Sequence, residues 1–175
     1  MKRIVLIALM MTLFIGTSNA QNQISGEKFF EYDAIDYYQT DFDELKIGEL
    51  YDNKSKSKID SLKMEIILGK IPNNISDLFF IEKLETVGYK KMIIDKSKFE
   101  SIDKIFIEKT TLENIATACI YVYRDILIFK KDGKVVGTAK ICFDCMSKQI
   151  KGTTANTENF GQDGDYEKLE KILRK

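Results

Sequence analysis

The sequence contains no histidine, a single proline and only three cysteines. Without histidine the chain cannot build a Ser-His-Asp or Cys-His catalytic group, a histidine-ligated haem, or the commonest zinc and copper sites. It also lacks the G-x-x-x-x-G-K-[ST] loop that holds nucleotide phosphates and a G-x-G-x-x-G turn after a strand. The chain therefore lacks the signatures of several large enzyme classes, and the sequence predicts no cofactor and no catalytic residue.

Arginine is scarce and the charge is balanced. The chain has 27 basic and 27 acidic residues, so there is no basic excess to neutralise the phosphates of a nucleic acid, and we expect no nucleic-acid partner. Bidentate binding of an anion usually requires arginine. Arg124 is the only arginine between Arg3 and Arg174, which makes it a candidate ligand-binding residue.

The first twenty residues have the pattern of a secretory signal peptide. Lys2 and Arg3 form a short basic start, residues 4–16 are apolar, and small residues precede a cleavage site after Ala20. The apolar stretch is short for a transmembrane helix, although an uncleaved signal anchor is the alternative. We expect residues 1–20 to be removed and the protein to be exported to the periplasm or the extracellular medium. No integral membrane segment is predicted after cleavage.

Residues 21–175 are predicted to form a single globular domain of the α+β class. An aromatic-rich strand is expected near residues 29–39, a short strand or link over 89–95, and a β-hairpin over 118–145. The expected sheet is antiparallel and combines the N-terminal strand with the hairpin. Apolar residues at helical spacing predict four helices, over residues 57–70 with Ser57 as the N-cap, and over 76–88, 96–109 and 165–175.

The hairpin turn suggests a pairing for two of the cysteines. If Lys131-Asp132-Gly133 is a three-residue loop with a bulge, Lys130 pairs with Lys134, and the same register places Cys119 opposite Cys145. The Cα atoms of such a non-hydrogen-bonded pair lie about 4.5 Å apart, which a disulfide accepts. A two-residue loop, or a bulge at Gly137, would shift the register.

Other states of the cysteines stay open. Cys142 and Cys145 form a C-x-x-C pair, which is the redox alternative. Against a thioredoxin-like site, no helix signal and no proline follow the pair. Zinc would need further ligands in unusual spacing, so no metal site is predicted. The three cysteines could also stay reduced in the core, and an odd count leaves one thiol over in any arrangement with one disulfide.

Two charged residues follow each other in the first strand of the hairpin. In an extended strand Arg124 and Asp125 point to opposite faces. The same register places Arg124 opposite Lys140, where it would bind either a carboxylate ligand or an acidic residue of a neighbouring element. Asp125 falls on the apolar face and would need donors if it is buried. Both are candidate ligand-binding or structurally essential polar residues.

Three motifs of this region, "YRDILIF", "KDGKVVG" and "ICFDC", carry a family resemblance. Residues 119–173 resemble an uncharacterised family of small exported bacterial proteins with a YRD strand, a K-x-G-K-V-x-G turn and an I-C-F-x-C strand end. The resemblance implies that the hairpin and its cysteines are a recurring unit. It implies no activity, cofactor or catalytic residue.

The sequence leaves three hypotheses for the function. The first is a non-enzymatic exported binding or structural domain whose partner is an unknown protein or small ligand. The second is a thiol-active envelope protein that uses Cys142 and Cys145. The third is an inhibitor or immunity-type partner of another exported protein.

Overall fold

The computed structural model describes residues 26–110 and 119–174, so the predicted signal peptide lies outside the described residues. The structure confirms the α+β class. In chain order the elements are β1 (Ala34–Gln39), α1 (Lys46–Asp52), α2 (Lys58–Ile67), α3 (Phe79–Lys83), β2 (Lys90–Ile93), a 3-10 turn (Lys96–Lys98), α4 (Phe99–Asp103), β3 (Asp125–Lys131), β4 (Lys134–Cys142), β5 (Ser147–Lys151), a second 3-10 turn (Gln162–Gly164) and α5 (Asp165–Leu173).

The five strands form one antiparallel sheet in the order β2-β1-β3-β4-β5. The predicted N-terminal strand and hairpin supply its three central strands. The edge strand β5 was not predicted. It forms because the four residues after β4 turn the chain back. Met146 has a positive φ of 45°, and its amide donates a hydrogen bond to the carbonyl of Phe143 at 3.2 Å.

The predicted three-residue hairpin loop is wrong. Lys131 pairs with Lys134, and the two residues between them, Asp132 and Gly133, both have positive φ. A turn of this kind matches the twist of the flanking strands, and aspartate and glycine tolerate its backbone. The register shifts once more beyond Phe129, so that Lys140 faces Ile126 instead of Arg124.

The second shift is a β-bulge, which Gly137 accommodates. Phe129 pairs with Gly137 while Lys130 pairs with Val135, which leaves Val136 as the extra residue. A Cβ atom at position 137 would lie 2.2 Å from the ring of Phe30. Only glycine therefore allows this ring to pack on the strand, where it contacts Phe129 at a centroid distance of 4.5 Å.

Both faces of the central strands are buried. One face, here called the α5 face, packs against α4, α5 and the N-terminal Phe29 and Phe30. The opposite face, here called the α2 face, packs against α2 and α3 and carries Tyr38, Ile126 and Ile128. The strand residues that contribute to the core of the α5 face are Ile35, Tyr37, Leu127, Phe129, Ala139 and Ile141.

Several helices differ from the predicted lengths. Ser57 caps α2 as predicted, because its side chain accepts a hydrogen bond from the amide of Asp60. The helix predicted over 96–109 ends at Asp103, since the following residues pair with the N-terminal segment through a Lys28–Ile107 bridge. The helix predicted over 76–88 covers only α3, and α1, which buries none of its residues, was not predicted.

A lysine lies fully buried on the α2 face. Lys140 in β4 has no solvent exposure, and its ammonium lies 5.3 Å from the centroid of the Phe80 ring. Its Nζ donates hydrogen bonds to the carbonyls of Ile66, at 2.8 Å, and Ile71. Burial lowers the pKa of Lys140 to about 7. The side chain thus attaches the C-terminal end of α2, and the chain that follows it, to the centre of the sheet.

We expect Lys140 to make stability depend on pH. Between pH 7 and the ordinary lysine pKa, the unfolded chain binds a proton that the folded protein does not, so the free energy of unfolding should rise with pH. The rise is at most about 1.4 kcal/mol per pH unit. Urea unfolding of the wild type and of Lys140→Met, followed by circular dichroism over roughly pH 6.5–9, should show this slope only in the wild type.

Lys134→Met is the matched control, because Lys134 is an exposed lysine of the same strand. It should keep the slope of the wild type. Equal slopes in Lys140→Met and the wild type would contradict a neutral buried amine.

Candidate functional site

A cleft between α4 and α5 carries a concentration of lysines. Its volume is about 720 Å³, and Ser101, Ile105 and Ile172 contribute to its walls. Because Ile105 and Ile172 lie beside the lysines, the cleft combines apolar walls with charge. The charged side chains that line it are Lys104, Lys109, Lys168, Lys171, Asp163 and Asp165.

The packing of α5 places two of these lysines. Tyr166, Leu169 and Leu173 are buried on one side of the helix. Lys168 and Lys171 are three residues apart, so both project from another side, toward the cleft. The turn before the helix depends on Gly161, which has a φ of 98° and lies where a Cβ would be 2.2 Å from the Tyr166 ring.

A buried ion pair lies in the cleft. Asp165, the first residue of α5, is 1% exposed, and the ammonium of Lys109 lies 3.1 Å from its Oδ2. Lys109 also donates a hydrogen bond to Oδ1 at 3.3 Å, whereas Oδ2 accepts no hydrogen bond from the described residues. Burial raises the pKa of Asp165, and the charges of Lys109 and Lys168 act against that rise.

The remaining lysines differ in how far they are neutralised. Lys104 pairs with Glu100 at 2.7 Å, and Lys168 lies 3.9 Å from Oδ1 of Asp165. Lys171 makes no ion pair or hydrogen bond within the described residues. Four ammonium groups against two carboxylates give the lining a net positive charge, which favours an anionic ligand.

The structure joins Cys119 to Cys145, with Cα atoms 5.8 Å apart. The two cysteines are not opposed in the hairpin as the predicted register had them, since β3 begins at Asp125 and β4 ends at Cys142. The bond instead links the segment before β3 to the β4–β5 turn. The redox alternative shares Cys145, and in the structure Cys142 is a buried free thiol.

Arg124 lies just before β3 and binds groups of its own chain. Its Nε donates to the carbonyl of Phe42 at 2.8 Å, and its guanidinium contacts Asp144 at 2.5 Å and Glu44 at 3.7 Å. The structure therefore places Arg124 with acidic residues of neighbouring loops, and away from the residues that line the cleft.

Asp125 lies on the apolar α5 face, as its position in the strand predicted, and it is buried there. It is 1% exposed, and it accepts hydrogen bonds from the hydroxyl of Tyr37 and from Arg174, the latter at 3.3 Å. Burial raises the pKa of Asp125, while Tyr37 and Arg174 act to lower it. The donors come from β1 and from the end of α5. Asp125 thus attaches the C-terminal end of α5 to the sheet.

The sequence did not identify Lys140 or the cleft. For Lys140 a signal exists, because it is a lysine within the otherwise apolar run "VVGTAKICF". The cleft lysines have no such signal, since 24 of the 27 basic residues are lysines spread over the whole chain. Only the packing of α5 beside α4 and the segment that follows α4 brings these four together.

Comparison of the chain with protein-family models, with curated proteins and with solved structures finds no match. Within residues 26–110 and 119–174, no group of acidic or cysteine side chains is arranged to hold a metal ion. No helix in the same ranges has the length and apolar character that crossing a membrane requires.

The ion pair of Asp125 and Arg174 allows a test. We expect Arg174→Met to lower the free energy of unfolding by about 1 kcal/mol near neutral pH, because it leaves the buried carboxylate of Asp125 with one donor. The effect is no larger because the side chain of Arg174 is partly exposed to solvent. The folded-state pKa of Asp125 should then rise further. A carboxyl whose pKa is raised by folding lowers the free energy of unfolding at pH values above its unfolded pKa, near 3.8. The loss of unfolding free energy in the variant, relative to the wild type, should therefore shrink as the pH falls toward 3.8.

Urea unfolding between roughly pH 3.5 and pH 7 measures this deficit. Lys171→Met is a control that removes one positive charge from the last turn of α5, three residues before Arg174, and it should change stability by less than about 0.5 kcal/mol. In the background of Asp125→Asn, Arg174→Met should lose its pH dependence. A deficit that is the same at all pH values would show that Arg174 acts only through packing, for example on the ring of Phe143.

Proposed function

We propose that this protein is an exported, non-enzymatic binding domain that takes a small anionic ligand in the cleft between α4 and α5. The observation that carries the proposal is the convergence of four lysines on a cleft with only two carboxylates. Carboxylate and phosphate groups are the anions whose charge suits this lining.

The size and walls of the cleft support a small ligand. A volume near 720 Å³ falls within the range of about 300–1,000 Å³ that is usual for small-molecule sites. Ile172 is half-buried and offers apolar surface to the body of a ligand, whereas Ile105 is buried behind the lining. Such a ligand has an apolar part and an anionic group.

The charges in the cleft support moderate affinity. Lys104 and Lys168 are more than half exposed at their side chains. An exposed ion pair contributes only about 0.2–1 kcal/mol and is weakened by salt. Binding should therefore be salt-dependent, and the apolar walls should add to it.

Charge reversal tests this proposal. We expect Lys168→Glu with Lys171→Glu to weaken binding of citrate or inorganic phosphate about fivefold or more, since two favourable pairs become repulsive. Amide chemical shifts of the labelled protein, titrated with each anion at low salt, report both the affinity and the location of binding. In the wild type the shifts should concentrate around α4 and α5.

Lys54→Glu with Lys58→Glu changes the net charge by the same amount at two exposed lysines away from the cleft. This variant should bind each anion like the wild type. Equal weakening in both variants, or shifts spread over all lysines, would show nonspecific attraction and would contradict a site in the cleft.

A further inference from the structure

All three cysteines of the chain meet at one end of the sheet. Cys142 and Cys145 are both buried and pack with Tyr123 in a small cluster, and Cys119 packs against the same cluster. We propose that Cys142 is a nucleophile toward the Cys119–Cys145 disulfide, so that the protein exchanges between two disulfide pairings that share Cys145. This chemistry is independent of the anion-binding cleft.

The turn after β4 brings the two cysteines of the C-x-x-C pair close together. Cys142 is the last residue of β4 and pairs with Ser147, the first residue of β5. Only four residues lie between them, and the amide of Met146 closes the turn on the carbonyl of Phe143. Cys142 directly precedes this turn and Cys145 is its third residue, and both side chains belong to the same buried cluster with Tyr123. The proposed Cys142–Cys145 bond therefore joins two cysteines that already pack together.

The exchange needs no external oxidant or reductant. The thiolate of Cys142 attacks Sγ of Cys145 and forms the Cys142–Cys145 bond, while the Cys119–Cys145 bond breaks. Cys119 leaves as a thiolate and takes up a proton, equivalent to the proton that Cys142 released. One disulfide and one thiol are present before and after the step, so electrons and atoms balance.

The surroundings of Cys119 favour its role as the leaving group. Cys119 is half-buried, whereas Cys142 and Cys145 are almost inaccessible to solvent. Water can therefore stabilise the thiolate that departs. The neighbouring residues Ile120 and Tyr121 are 63% and 45% exposed, so little packing holds this part of the segment once the bond is broken.

The two pairings constrain the chain differently. The Cys119–Cys145 bond spans a sequence separation of 26 residues, whereas the alternative bond closes only a tight turn. Exchange therefore removes a long-range link between the segment before β3 and the β4–β5 turn. The chain keeps one disulfide throughout, and the partly exposed Cys119 becomes the free thiol in place of the buried Cys142.

Peptide mapping distinguishes the two pairings. Trypsin cleaves after Lys109, Arg124, Lys140 and Lys148, so Cys119 falls in residues 110–124 while Cys142 and Cys145 share residues 141–148. The pairing in the structure yields these two peptides cross-linked, with one alkylated thiol on Cys142. The exchanged pairing yields separate peptides, in which 110–124 carries the label and 141–148 contains an internal disulfide.

The experiment incubates the folded protein without added thiol, quenches samples with acid over time, and alkylates them under denaturing conditions before digestion. We expect the exchanged pairing to accumulate, and to do so several-fold faster near pH 8.5 than near pH 6.5, because the thiolate is the attacking species. The rate should not change on about tenfold dilution, since an intramolecular step has no concentration dependence.

Cys142→Ser and Cys142→Ala are the control variants, and circular dichroism checks that each is folded. In both, residues 110–124 and 141–148 should stay cross-linked, with no label on Cys119. The proposal is overturned if the wild type keeps its label on Cys142 at all times and pH values. It is also overturned if the exchanged pairing forms at a rate proportional to protein concentration, which would indicate exchange between molecules.

Discussion

The hydrogen bonds from Lys140 to the carbonyls of Ile66 and Ile71 hold the helical layer of the α2 face on the sheet. The amine comes from a central strand, and its acceptors lie at the end of α2 and just beyond it. A buried amine without acceptors would be costly, so the position of α2 and the identity of residue 140 depend on each other. Burial lowers the pKa of Lys140, and a neutral amine still donates two hydrogen bonds.

On the opposite face of the sheet, an ion pair at each end of α5 positions this helix. Asp165 at its start contacts Lys109, and Arg174 after its end contacts Asp125 of β3. The acidic residue at the start and the basic residue at the end also suit the helix dipole. Because α5 is fixed in this way over the apolar core, its lysines have a defined position relative to α4, and the cleft has a defined shape.

Local patterns were sufficient for the α+β class, the hairpin, the N-cap of α2 by Ser57 and the position of Asp125 on an apolar face. Local patterns gave the wrong helix boundary or strand register where contacts with distant segments decide the structure. The predicted helix over 96–109 is cut short because Ile107 pairs with Lys28. The hairpin register was wrong because two turns with different loop lengths fit "KKDGK", and the bulge before Gly137 depends on Phe30, a residue more than a hundred positions away.

The sequence by itself determined the spacing of apolar residues along the chain, the catalytic groups that the chain cannot form without histidine, and the odd number of cysteines. These properties are local or compositional, so no long-range contact can alter them. Only the tertiary structure decided which of the many lysines meet in a cleft, that Lys140 is buried, and that Cys142 packs beside the Cys119–Cys145 bond. Those outcomes depend on which segments pack against each other, and residues far apart in the chain carry no local signal of their proximity.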